Sequence, residues 1–207
     1  MTDLLALIPP ADLAAFLAAG IVLNLTPGSD VMFATACGMT GGPRAGVAAG
    51  LGVGLGGLWH VGLAVLGLGA LLAAMPGALL ALKWAGAAYL VWLAWSAWRA
   101  GRADLPGVEA LTPARAIRQA FLVNAFNPKV ALFILAFLPQ FTDPARGPVW
   151  AQIAVLGSLF TLTGTLVTAG YGAGAGLFRA RLADRLHIFN RIAAGLLLLL
   201  AVRLVRT

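Results

Sequence analysis

Long apolar runs, each interrupted by a few polar or helix-breaking residues, dominate this 207-residue sequence. No charged residue falls between Arg44 and Lys83, and none between Arg146 and Arg179. About 20 consecutive apolar residues cross a ~30 Å hydrocarbon core as a helix, so such stretches predict transmembrane helices. The pattern puts spans near Leu13–Met39, Ala45–Leu72, Leu79–Trp98, Ile117–Phe141, Val149–Leu177 and Leu186–Leu204, six in all. The sixth is the weakest, because Arg191 leaves only Ile192–Val202 uncharged before Arg203; a five-span chain is the alternative.

Two of the spans carry matching interruptions. Asn24-Leu25-Thr26-Pro27-Gly28 breaks the first, and Asn124-Ala125-Phe126-Asn127-Pro128-Lys129 breaks the fourth. Proline removes a backbone donor and clashes with the preceding turn, so each helix breaks or kinks there. Freed backbone groups at membrane depth must be buried in protein or line a cavity. Three spans separate the breaks, so the second half enters the membrane in the opposite sense. Paired Gly/Pro interruptions in inverted halves point to a transporter binding site. The expected fold is therefore an all-α polytopic membrane protein of about six transmembrane helices. They form two inverted three-helix repeats, with the first helix of each broken. It makes one transport domain over 1–207, with repeat one near 1–100, repeat two near 115–207 and a connecting loop near 99–118.

Composition sharpens this picture: 61% of residues are hydrophobic without counting 26 glycines, and only 10% are charged. Soluble domains average about 45–50% apolar, glycine included, and about 25% charged. A soluble enzyme, a disordered tail and a disulfide scaffold are excluded. The mean hydropathy of +0.93 agrees. Single Cys37 offers no intrachain bridge or CxxC pair, and no GxxxxGK[ST] phosphate loop is present. The first apolar run has Asp3 and Asp12 but no Lys or Arg before it; that charge is wrong for a cleaved signal peptide, and the run is expected to stay in the mature protein.

The net charge of +7 would suggest nucleic acid in a soluble protein. Here the basic residues occupy the gaps between apolar runs, with no stripe or aromatic interleaving, so they act as topology signals and no nucleic-acid partner is expected. Six spans put Arg44, Arg99, Arg102, Arg115, Arg118, Arg179, Arg181, Arg185 and Arg191 on one side. Lys83, Arg146, Arg203 and Arg206 fall on the other. The richer side is expected to be cytoplasmic, which includes the 99–118 loop and leaves both termini outside.

Ionisable residues inside spans are costly and are functional candidates by default. Asp30 follows the first break and Lys129 the second proline. Asp30 has three candidate roles: N-cap of the helix that follows, ion-pair partner of Lys129, or site for a substrate ammonium or a proton. A substrate carboxylate could meet exposed N–H groups and Lys129. Asn24, Thr26, Pro27, Gly28, Asn124, Asn127 and Pro128 complete the candidate pathway. His60, inside the second span, is either a hydrogen-bonded packing residue or a proton-sensitive group, and alone it makes no histidine metal cluster. No metal or cofactor is expected. Gly46, Gly50 and Gly54 form one small-residue row, Gly52 and Gly56 a second, and Gly170 and Gly174 a third; such rows let helices approach closely, within a bundle or between protomers of a homo-oligomer. Trp84, Trp92, Trp95 and Trp98 are expected as interface and packing aromatics.

TPGSD at Thr26–Asp30, KWAGAAYLVWL at Lys83–Leu93, NAFNPK at Asn124–Lys129 and FLPQF at Phe137–Phe141 resemble the LysE/RhtB family of bacterial amino-acid exporters. The resemblance covers nearly the whole chain, and the third-span motif and His60 look most like its homoserine/threonine branch. It implies a multi-pass protein of the bacterial inner membrane that exports amino acids, energised by an ion gradient with the proton as the expected coupling ion. Two departures stand out. Ser29 replaces the second proline of the family's more usual TPGPD, which loosens the break. The fifth span offers Thr161, Thr163, Thr165 and Thr168 where many members place an acid, so any coupling proton must use Asp30. Heavy-metal export is disfavoured by one cysteine and no histidine cluster. A membrane-embedded enzyme would need a nucleophile with a base or a metal site, and neither is visible. A structural membrane subunit is the remaining alternative.

Overall fold

The computed structural model describes residues 7–74, 77–99, 109–177, 191–192, 194–199, 201–202 and 205. The described residues are almost wholly helical and contain no strand. Helix α1 is Pro10–Leu25, α2 Ser29–Ala74, α3 Ala78–Arg99, α4 Pro113–Ala125, α5 Pro128–Leu132 and α6 Val149–Leu177. A π-helical turn, Phe133–Phe137, and a 3-10 turn, Leu138–Phe141, extend α5.

Among the described residues, two helical stretches are long and apolar enough to cross a membrane, Ser29–Gly67 and Val149–Leu177. The pair Pro113–Ala125 and Pro128–Phe141, bent by 50°, makes a third as one broken span. The expected fifth span has the bounds of α6, and the expected third and fourth fall on α3 and on the bent pair. The expected sixth is described only in part, where residues 191–192, 194–199 and 201–202 are helical. Residues 100–108 of the expected 99–118 loop lie outside the described residues, and its end is corrected, since 113–118 already belong to α4.

The first two expected spans are joined in α2, but the chain turns back within it. Gly42 has φ 80° and ψ 177°, and Pro43 follows. A Cβ built on Gly38 or on Gly46 would meet the same residue, Gly172. Eight residues of straight helix span about 12 Å, so both can reach Gly172 only if the chain folds back at Gly42. Positive φ is where glycine has no steric penalty, and Pro43 restarts the helix with its φ already set.

Small residues decide how the second arm of α2 packs. Cβ atoms on Gly46, Gly50 and Gly54 would strike Gly172, Ala169 and Thr165 of α6. Those on Gly52 and Gly56 would strike Ile117, Ala120 and Asn124 of α4. The two glycine rows thus serve two partners, α6 and α4, at backbone contact. The expected row in the fifth span is corrected: Gly170 and Gly174 meet nothing within 4 Å among the described residues. Gly172 and Gly176 are the close-approach positions, against Gly46 and against Pro43 and Gly38. Both alternatives occupy the same small-residue pattern, and only the helix rotation distinguishes them.

The third face of the same arm carries exposed Leu51, Leu55, Leu58, Trp59, Leu63 and Leu66. Lipid tails are as apolar as leucine, so this stripe meets its solvent. Trp84, Trp92, Trp95 and Trp98 are likewise exposed along α3, and the Arg99 guanidinium lies 4.3 Å from the Trp95 ring centre. A buried phenylalanine cluster packs beside the broken span. Phe133 stacks on Phe160 at 4.6 Å and on Phe137 at 4.8 Å, and Phe16 meets Phe141 edge-on at 5.4 Å.

Candidate functional site

Both breaks follow from one steric rule. A residue before proline is pushed out of the α region. Thr26, before Pro27, has ψ 117°, and Asn127, before Pro128, has ψ 110°. Helix α1 ends as the Thr26 N–H bonds back to the Val22 and Leu23 carbonyls at 3.1 and 3.2 Å. The Thr26 hydroxyl also donates to Val22 O, at 2.8 Å. Helix α4 ends as the N–H of Phe126 bonds to Leu122 O and that of Asn127 to Asn124 O. Helix α5 then starts with Asn127 as N-cap, its Oδ1 accepting from the Lys129 N–H at 2.9 Å, and with Pro128 in the first turn.

Each break supplies what the other lacks. The Lys129 ammonium donates to Thr26 O at 2.8 Å and Leu23 O at 3.0 Å. Both carbonyls lie at the end of α1, where the next turn is missing; Leu23 O is otherwise met by the Thr26 N–H at 3.2 Å. In the other direction, Asp30 Oδ2 accepts from Asn127 Nδ2 at 2.7 Å and Asn124 Nδ2 at 3.0 Å. The lysine of the second break caps the first, and the asparagines of the second hold the acid of the first. Asp30 and Lys129 are 5% and 6% exposed, and no contact within 4 Å is found between their charged atoms. Gly28 makes room for the crossing, since a Cβ there would lie 3.3 Å from the Lys129 Nζ.

The cap role for Asp30 does not hold. Gly28 O accepts the first helical bond, from the Met32 N–H at 2.9 Å, which makes Gly28 the cap residue and puts Asp30 inside the first turn. Its carboxylate benefits there from the positive end of α2.

His60 and Asn24 brace the same region. His60 Nε2 lies 3.0 Å from Asn124 O; a carbonyl only accepts, so this nitrogen carries the proton. Asn24 Nδ2 donates to Phe160 O at 3.2 Å and Thr163 Oγ1 at 3.1 Å, tying the first break to α6. All ten candidates named from the sequence therefore belong to one buried cluster or to the two breaks that build it.

A small cavity of about 20 Å³, room for about one water molecule, lies beside the cluster. Asn24, Asp30, Asn124, Lys129, Thr161 and Thr168 give its polar lining. A second, of about 10 Å³, lies between α3 and the π turn, lined by Tyr89, Leu93 and Phe133 among others. The Lys129 side chain borders both. Thr161 is the residue that sequence reasoning did not single out. Its only signal was its place among four hydroxyls where relatives of the resembled family carry an acid. Among the described residues no group of three or more His, Cys, Asp or Glu is clustered.

A helical membrane protein with two proline-broken helices meeting at buried, crosswise-bonded charges belongs to the class of polytopic membrane transport proteins. The chain belongs to the LysE type translocator family, whose model matches residues 21–207. It is 38% identical over 162 residues to an uncharacterized membrane protein of Vibrio cholerae, covering 77% of this chain and 78% of that one. It is 36% identical over 161 residues to a homoserine/homoserine lactone efflux protein of Salmonella typhimurium, covering 76% and 77%. A leucine efflux protein of Klebsiella pneumoniae is 30% identical over 131 residues, 62% of each chain. No solved structure matches.

Proposed function

We propose that this chain is a secondary exporter of small amino acids, of homoserine/threonine type or similar. It works from the cytoplasm across the bacterial inner membrane, by alternating access about the two breaks and in exchange for protons. The observation that carries the reading is the reciprocal bonding of Asp30 and Lys129 across the breaks. At the breaks the two halves are joined by four hydrogen bonds to charged groups. Rocking one half against the other would exchange these bonds for solute or water, which suits a gate that must open in every cycle.

The coupling follows from the carboxylate. A buried carboxylate is stabilised by a partner cation or by taking a proton, and not by both at once. A proton arriving at Asp30 would displace a cationic group, and a cationic group would displace the proton. The names of the relatives point the same way: homoserine, homoserine lactone and leucine all carry a primary ammonium group. The halves act as inverted repeats in this scheme, each contributing one broken helix.

The test is radiolabelled amino-acid efflux from cells with and without the protein, across a panel of amino acids, repeated after a protonophore collapses the gradient. Accelerated, protonophore-sensitive release of at least one small amino acid is expected. Release of none would overturn the reading.

A further inference from the structure

Three buried side-chain atoms lack a hydrogen-bond partner among the described residues: Asp30 Oδ1, Asn124 Oδ1 and Thr161 Oγ1. Their three residues come from α2, α4 and α6, and all three line the same cavity. A buried polar atom without a partner costs about 1–3 kcal/mol, and native proteins keep few of them. Their concentration at a single cavity calls for a ligand that satisfies all three together.

The orientation of these atoms is forced by chemistry. An ionised carboxylate only accepts, so Asn124 and Asn127 must both turn Nδ2 toward Asp30. The Asn127 Oδ1 is then used by the Lys129 N–H, but the Asn124 Oδ1 has nothing to accept from. Thr161 differs from its neighbours in the same way. Thr163 and Thr165 donate their hydroxyl protons to the Phe160 and Thr161 carbonyls, whereas Thr161 Oγ1 makes no such bond. Glycines keep the place clear. A Cβ on Gly56 would lie 2.6 Å from Asn124 Oδ1, and one on adjacent Gly57 2.9 Å from Thr161 Oγ1.

We propose that Asp30 Oδ1, Asn124 Oδ1 and Thr161 Oγ1 together hold the primary ammonium group of the exported solute, and that no positive side chain anchors its carboxylate. The inference rests on the export reading above and specifies the chemistry of its site. An ammonium has three N–H donors and no acceptor, which matches three oxygens, one of them charged. The Lys129 ammonium gives two of its three N–H donors to the Leu23 and Thr26 carbonyls, so its first work is to close the end of α1. The site therefore takes small primary amines whether or not their carboxyl group is free, and it refuses N-acylated ones. The three oxygens are closed off from solvent here, so the helices must part slightly to admit the amine.

The experiment uses the full-length protein in proteoliposomes, with homoserine and leucine as probes, each also as its amide and its N-acetyl derivative. Both free amino acids and amides are expected to be transported, and the N-acetyl forms refused. Thr161→Val should raise the KM for amine substrates by about tenfold, the scale of one hydrogen bond to a charged group, while Thr161→Ser restores it. Transport of the N-acetyl forms, or refusal of the amides, overturns the proposal. So does a strict requirement for sodium with no discrimination among the three forms, which would give the oxygens to a metal cation. Binding is read separately in detergent: homoserine amide should raise the melting temperature of the wild-type protein and not of Asp30→Asn. If that shift appears without any transport, the export reading fails and the ammonium site stands. If no shift appears, the site fails whatever is transported.

Discussion

Asn127 Nδ2 donates to Asp30 Oδ2 at 2.7 Å across 97 positions of sequence, while the Oδ1 of the same amide caps the helix that carries Lys129. One side chain thus fixes the start of α5 and the acid of the opposite break together. In the proposed gate, a shift of the second break would carry with it the carboxylate that it holds.

Asp30 is the sharpest place to test this. Asp30→Asn removes the charge but leaves an oxygen to accept from Asn124 and Asn127. The variant is expected to insert normally and to export nothing, measured by membrane yield and by efflux. Adding Lys129→Met should not rescue it, because the lysine bonds to carbonyls and forms no direct pair with Asp30. Lys129→Met alone leaves the Thr26 carbonyl without its partner, at a cost of about 1–3 kcal/mol, and takes the second donor from Leu23 O; it should lower the melting temperature. Normal efflux from Asp30→Asn would end the assignment.

The prolines act by setting the residue before them. Pro27→Ala and Pro128→Ala should each reduce efflux while the protein still inserts, since each lets Thr26 or Asn127 relax toward the helix. Asn127→Ala should be worse than Pro128→Ala, because it removes both the cap and a bond to Asp30. Full efflux from both proline variants would show that they merely bend helices.

The glycine contacts predict a contrast within one helix. A Cβ at Gly172 would lie 2.6 Å from the Gly46 carbonyl group, backbone that cannot swing aside, whereas one at Gly174 meets nothing within 4 Å. Gly172→Val should cut the folded yield severely, and Gly174→Ala should leave it unchanged or slightly improved. Fluorescence-detected size exclusion of the two variants would measure this; equal yields would refute the packing.

Orientation is testable with little background, because Cys37 is buried. Cysteines placed at Ala103 and Gly107, between α3 and α4 in the arginine-rich stretch 99–118, should resist an impermeant thiol reagent applied to intact cells and react after permeabilisation. Ready labelling of intact cells would reverse the orientation inferred from the positive residues.

The sequence by itself determined the helices, because uncharged length and proline position are local properties. The bounds of α6, the breaks at Pro27 and Pro128 and the turn between Met39 and Ala45 could all be found by walking along the chain. It also marked Asp30 and Lys129, since a charge inside an apolar run stands out without any partner in view. What it left open was contact. Whether Asp30 capped its helix, paired with Lys129 or faced a ligand depended on which atoms of a segment 97 positions away reach it. Gly170 and Gly172 are both small and differ only in the rotation of α6, which is set by Gly46 and Gly38 across the interface. Thr161 was one hydroxyl among four until side-chain rotation turned Thr163 and Thr165 back onto carbonyls of their own helix and left Thr161 Oγ1 without a partner. Spacing along the chain fixes what each residue is able to do; hydrogen bonding across the fold decides which of those abilities remains free for a solute.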